Sequence, residues 1–122
     1  MQNIEERFDA AQHHHAAGRL SDAEKGYRAI LQQNPKHAPA LHFLGVIEMA
    51  SVKFKKAADL IKKAIAARPD YVEAHSNLGN ALQQQGKTNP AIASYRKAIG
   101  IDPTYAVAHM NLGTTLLNQA AI

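Results

Sequence analysis

A chain of 122 residues, 46% hydrophobic and 20% charged, has enough apolar material for one folded unit and too much for a disordered tail. It has no cysteine, which excludes disulfides and thiolate metal ligands or nucleophiles and fits a reducing compartment. The net charge of +4 is too small to demand a polyanionic partner, so where the charges sit matters more than their sum. The start, Met1 to Phe8, carries Glu5, Glu6 and Arg7 in place of a signal peptide's apolar core, and no run approaches the roughly 20 apolar residues of a membrane helix. A cytoplasmic protein with no membrane partner is the expectation.

Taken in order, the chain reads as a series of helices. Gly18 ends the first, and Ser21-Asp22-Ala23-Glu24 has the form of a capping box opening the second, in which Ser21 and Glu24 would satisfy reciprocal backbone donors. Pro35 follows that helix. Next, Val52 stands where the neighbouring units have Gly18 and Gly86; a β-branched residue resists the left-handed conformation of such a helix-ending glycine, so a turn of different shape is expected there. Ala74, Leu78, Ala81 and Leu82, then Ala91, Tyr95, Ala98 and Ile99, recur at the steps of one-sided helices. Gly86 separates these two runs. Asn89 is placed to cap the second, Pro90 falls at its first helical position, and Pro103 ends it. A last helix runs from about Ala106 to Gln119.

These elements keep a common beat. Leu44-Gly45, Leu78-Gly79 and Leu112-Gly113 recur 34 residues apart, as do Pro35, Pro69 and Pro103, Ala23, Ala57 and Ala91, and Tyr27, Ile61 and Tyr95. The register divides the chain into helical hairpins at 4–37, 38–71 and 72–105, with a half unit at 106–122, all in one domain. Each glycine inside a helix costs on the order of 1 kcal/mol relative to alanine, and a recurring cost implies a recurring gain. With Ala57 and Ala91 on the second helices, the glycines would let helices approach closely, small surface against small surface.

His75, Leu78, Gly79, Leu82, Gly86, Ala91, Tyr95, Ala98 and Pro103 of the third unit, with Leu41, Leu44, Gly45, Ala57, Ala64 and Pro69 of the second, resemble the 34-residue signature of the tetratricopeptide repeat (TPR) family. The resemblance covers essentially the whole chain. Unit 1 departs from it, with Arg7 at the bulky position and Ala10-Ala11 for Leu-Gly, as a terminal capping repeat does. The segments around Asn77 and Asn111 look most like bacterial arrays that precede glycosyltransferase-type domains, including relatives of O-linked N-acetylglucosamine transferase. The resemblance implies an all-α, right-handed α-solenoid of three full repeats plus one extra helix, acting as a protein-interaction scaffold.

In such a superhelix the first helix of each unit lines the concave face. The peptide-groove candidates are then Gln12, His15, His42, Phe43, Val46, Met49, Ser76, Asn77, Asn80, Gln83, Met110, Asn111 and Thr114. Asn77 and Asn111, each just before a Leu-Gly pair, resemble the asparagine ladder with which transferase-type arrays grip a peptide backbone. An amide offers both a donor and an acceptor to a peptide group without the desolvation cost of a charge. The ladder is incomplete, since unit 2 has Phe43 and unit 1 has Asp9 at that position, and a purely structural role for the two amides stands beside the functional one. Clamping a partner's C-terminal carboxylates needs Lys and Arg where this chain has Phe8, Gln12, Phe43, Glu73 and Asn77, which excludes the chaperone-tail reading.

His13-His14-His15 diverge by about 100° per residue on a helix and cannot converge on one ion, so no metal is expected. His75 and His109 take the bulky packing position of their units, which assigns them to the core. No Ser/His/Asp set, phosphate loop or paired-acid arrangement occurs. The chain is read as no enzyme and as needing no cofactor. Lys53, Lys55, Lys56, Lys62, Lys63 and Arg68, opposed mainly by Asp59, form a basic stripe that could touch RNA or an anionic membrane, but as a convex surface with only Phe54 interleaved it reads as a solvated face. The rival to a peptide groove is self-association into a homodimer through Leu112, Leu116, Leu117 and Ile122 of the last helix, whose apolar face lacks a hairpin partner unless further sequence covers it.

Overall fold

The computed structural model describes residues 3–121, and over them the chain forms seven helices. They are α1 (Ile4–Ala16), α2 (Leu20–Gln33), α3 (Ala38–Ala50), α4 (Phe54–Ala67), α5 (Val72–Gln84), α6 (Thr88–Ile101) and α7 (Ala106–Ala120). The odd-numbered helices begin at residues 4, 38, 72 and 106, on the sequence register. α1 packs on α2, α3 on α4 and α5 on α6, and each hairpin leans on the next through α2 against α3, α4 against α5 and α6 against α7. The result is an all-α solenoid.

One turn is used three times. Arg19, Lys53 and Lys87 each donate a backbone N–H to the carbonyl five residues earlier (His14, Glu48 and Leu82), while Gly18, Val52 and Gly86 bond back three residues to His15, Met49 and Gln83. The residue at the bend has positive φ: +80° at Gly18, +79° at Gly86 and 62° at Val52. The turn at Val52 therefore has the same shape as its sisters, against the sequence expectation. The hydrogen-bond pattern and the packed hairpin impose the left-handed conformation on a β-branched residue, at a cost of about 1–2 kcal/mol.

The same turn overrides the expected caps. The second helix of each hairpin starts two residues after the bend, at Leu20, Phe54 and Thr88, so Ser21 and Asn89 lie inside the first helical turn and Pro90 is not at its first position. Arg19 and Lys87 occupy the cap positions without a side-chain cap bond. Glu24, freed from the proposed capping box, pairs with Arg28 at 3.0 Å, and Asn89 Oδ1 accepts from Gln119 Nε2 on α7 at 3.5 Å. Two caps were not anticipated. Asn3 Oδ1 accepts the Glu6 N–H at 2.8 Å, and His37 Nδ1 accepts that of Ala40 at 3.1 Å.

Tyr27, Ile61 and Tyr95 are fully buried between the helices of their hairpins. A Cβ on Gly45 would stand 2.7 Å from Ile61 Cγ1, and one on Gly79 would stand 2.7 Å from Tyr95 Cδ1. At Gly45 the expected close approach to Ala57 is present, its carbonyl 3.2 Å from the added Cβ, and at both positions the glycine also makes room for the bulky residue of the second helix. In the first hairpin, Ala11 takes the glycine's place and Gly26 on α2 gives way instead, since a Cβ there would lie 2.8 Å from Ala11 Cβ. Among the described residues, a Cβ on Gly113 meets nothing within 4 Å. His75 is buried as expected, whereas His109 is exposed; both rings donate Nε2–H to the carbonyl of the proline six residues back (Pro69, 2.8 Å; Pro103, 2.7 Å), pinning the elbow between hairpins.

Candidate functional site: a polar row on the first helices

The odd-numbered helices carry the candidate groove residues at matching repeat positions. Gln12, His15, Phe43, Val46, Met49, Asn77, Asn80, Gln83 and Asn111 are half-buried, and Met110 and Thr114 are exposed. His42 and Ser76 are buried, so they support the face from behind instead of presenting to a ligand.

A continuous hydrogen-bonded row joins α3 to α7. His42 Nδ1 lies 3.0 Å from the Tyr71 hydroxyl, and Asn77 Nδ2 lies 2.8 Å from His42 Nε2. Asn80 Nδ2 donates to Asn77 Oδ1 at 3.4 Å, and Asn111 Nδ2 to Asn80 Oδ1 at 3.1 Å. The Tyr95 hydroxyl, reaching through from α6, is 2.7 Å from Asn80 Oδ1 and 3.0 Å from Gln83 Oε1. With Asn77 donating to Nε2, the proton of neutral His42 belongs on Nδ1, where it is donated to the Tyr71 oxygen.

The row is kept neutral by its surroundings. Burial pulls the His42 imidazole down to about 4, far from its charged form at neutral pH. Burial, assisted by the charge of Glu73, pushes the Tyr71 phenol up to about 12, and burial also raises Tyr95. Both asparagines singled out in the sequence are thus engaged with a neighbouring helix, yet neither is saturated. Asn77 and Asn80 each keep one N–H, and Asn111 keeps an N–H and its carbonyl. The spare groups are mostly donors.

Sequence reasoning missed the tyrosines. Tyr27 and Tyr95 stood out only as large residues in a repeated column, yet their hydroxyls reach the groove side: Tyr27 lies 3.2 Å from His15 Nδ1. The available signal was the choice of tyrosine over phenylalanine at a fully buried position, where a hydroxyl must find a partner. His14 meanwhile accepts from Arg19 Nε at 2.9 Å, so the histidine run splits between different partners, and among the described residues no group of His, Asp and Glu is arranged to hold a metal ion.

The basic stripe is exposed on α4 and its flanks, with Lys55 paired to Asp59 at 3.3 Å and the Arg68 guanidinium 4.6 Å over the Tyr71 ring. On α7, Leu117 is 72% and Met110 65% exposed, and Leu116 is 38% exposed, while Leu112 packs against the larger core. Ile122 lies outside the described residues. No helix among the described residues is long and apolar enough to cross a membrane.

Comparison with known proteins agrees with the repeat fold. A model of the TPR repeat matches residues 45–86 and 79–119. Over 75 residues the chain is 42% identical to the UDP-N-acetylglucosamine–peptide N-acetylglucosaminyltransferase of Caenorhabditis elegans, a match that spans 62% of this chain and 6% of that enzyme. Among solved structures it is similar to an O-GlcNAc transferase mutant of Thermobaculum terrenum, with a TM-score of 0.89 and 29% identity over 95% of this chain and 23% of that one. It is also similar to the first TPR domain of Spaghetti bound to an HSP90 peptide of sequence SRMEEVD, with a TM-score of 0.90 over 96% of this chain and 93% of that one; at 18% identity this likeness concerns the fold alone. The chain therefore corresponds to a small part of each transferase. Its register, its hairpins and the matched residues make it a member of the tetratricopeptide repeat family.

Proposed function

We propose that this array is a protein-interaction scaffold that binds an extended segment of a partner along the row formed by Asn77, Asn80 and Asn111. The observation that carries the reading is the surplus of amide N–H donors on a neutral, half-buried row. Such donors match the carbonyl oxygens of a peptide backbone, which every sequence provides, so binding is tolerant of ligand sequence. Likeness to segments of two N-acetylglucosaminyltransferases supports a role in presenting a polypeptide to a catalytic domain. Replacing Asn77 and Asn111 together by alanine is expected to weaken binding of an uncharged, unstructured Ser/Thr-rich peptide by about 1–3 kcal/mol in calorimetry, with helicity unchanged. Unaltered affinity would assign both amides to structure.

A second reading is favoured by the open face of α7, where Gly113 meets nothing and Leu116 and Leu117 are exposed. That face fits a second copy of the chain, paired about a two-fold axis that buries one patch against itself. Light scattering over a dilution series should show a dimer that Leu116→Glu weakens. A monomer at high concentration, indifferent to that substitution, would leave α7 as a solvated capping helix.

A further inference from the structure

The repeat position that is asparagine on α5 and α7 is Phe43 on α3, and its surroundings differ in kind. The half-buried Phe43 ring stacks on Tyr27 at 18° and 6.0 Å, takes the His15 ring edge-on at 89° and 6.0 Å, and has Phe8 at 6.1 Å. His42 joins this cluster to the amide row, its ring 4.8 Å from Phe43 and its Nε2 2.8 Å from Asn77 Nδ2. One continuous row therefore changes from rings to amides between α3 and α5.

A backbone-reading groove cannot continue unchanged across that boundary. Over Asn77 and Asn111 a peptide group exchanges water for amide partners; over Phe43 it would be dehydrated with no partner, which is unfavourable. The favourable neighbour for a cluster of ring faces and edges is another ring or a flat apolar side chain, which gains tilted or stacked contacts and releases water from both surfaces. Two exposed acids lie along the first helices, Asp9 and Glu73, with exposed His13 beside Asp9. Asp9 takes the Phe43 position on α1, and Glu73 lies in the first turn of α5, where its charge adds to burial in raising the hydroxyls of Tyr71 and Tyr105 and is opposed at Tyr71 by Arg68. An acidic segment is repelled there.

We propose that Phe8, His15 and Phe43 form a subsite that reads one aromatic or proline side chain of an uncharged or basic extended segment, whose backbone continues over the amides. This rests on the groove reading above and adds what that reading lacks, a side-chain preference and hence one direction of binding. The amides supply affinity to any sequence, and the rings choose among sequences.

The test uses three unstructured peptides of equal length in calorimetry: an uncharged Ser/Thr-rich peptide, the same peptide with one tyrosine near one end, and the tyrosine peptide with three glutamates added. The tyrosine peptide is expected to bind about fivefold to tenfold more tightly than the plain one, and the acidic peptide more weakly than either. Phe43→Asn, which extends the amide row, should reduce the tyrosine preference, read as the ratio of the two peptides' affinities for the same variant, to less than about twofold. Phe43→Leu preserves apolar packing and should also lose most of the preference, which guards against misfolding of the first variant. Equal affinity of the plain and tyrosine peptides for the parent protein, with both weakened by loss of Asn77 and Asn111, overturns the subsite and leaves the groove. Failure of any peptide to bind overturns both, and tighter binding of the acidic peptide overturns the subsite's selectivity.

Discussion

Three repeat positions compared between α5 and α7 show how far a repeat dictates the role of a residue. Gly79 and Gly113 share a register, as do His75 and His109, and Ser76 and Met110. On α5, the glycine is filled by the Tyr95 ring, the histidine is buried against the elbow, and Ser76 is enclosed. On α7, the glycine faces open space, the histidine makes the same bond to a proline carbonyl while exposed, and Met110 is 65% exposed. Backbone geometry is set by the repeat; energetic role is set by the neighbours. Bonds made within one elbow survive on both helices, whereas among the described residues the contacts made by a following helix are found on α5 and not on α7.

The largest expected consequence concerns the enclosed side of this comparison, where a titratable group occupies the position of Ser76 and Met110 one unit earlier. Burial lowers His42 from its ordinary 6.5 to about 4. Between those values the unfolded chain binds a proton that the folded chain refuses, so stability falls as pH drops from about 6.5 toward about 4, by up to about 3 kcal/mol, and does not change through this group above about 6.5. His37, also lowered by burial, acts in the same direction. Urea denaturation from pH 4.5 to 7.5 measures this slope, and His42→Gln should make it shallower. Parallel slopes for parent and variant would mean that protonated His42 is accommodated and that the enclosed row is wetter than its geometry implies.

Much of the fold was legible because periodicity is a property of the backbone path. The 34-residue register located four helix starts, and Tyr27, Ile61 and Tyr95 marked the core. The expectations that failed concerned competition between local and tertiary preferences. Ser21 and Asn89 have good capping chemistry, but the bends at Gly18 and Gly86, closed by Arg19 and Lys87, fix where the next helix begins. Val52 has poor chemistry for its bend and adopts it nevertheless. The site was legible as a set of positions and opaque as a network: Asn77 and Asn111 could be placed on a face, but their partners His42 and Asn80 come from α3 and α5, and one partner of His42, Tyr71, comes from a loop. Hydrogen bonds between residues 29 to 35 positions apart leave no local trace in a sequence.

The two glycines offer the sharpest break of the comparison, because one substitution is expected to have opposite signs at the two sites. Alanine is the better helix former by about 1 kcal/mol, and this gain applies equally to both. At Gly79 it meets a wall. The added Cβ would stand 2.7 Å from Tyr95 Cδ1, and that ring is fully buried with its hydroxyl held near Asn80 and Gln83, so it cannot swing aside without breaking the row. Overpacking of this kind costs about 1–3 kcal/mol, and with the widened α5–α6 contact Gly79→Ala is expected to be net destabilising. At Gly113 nothing lies within 4 Å, so Gly113→Ala should keep the whole helical gain and stabilise the chain by up to about 1 kcal/mol. Chemical denaturation of the two variants at low protein concentration, with midpoint and slope compared, measures the difference. A loss of stability in Gly113→Ala that grows with protein concentration would mean that another copy fills the space over Gly113 as Tyr95 fills the space over Gly79, which would carry the contrast between the two helices over to the assembled protein.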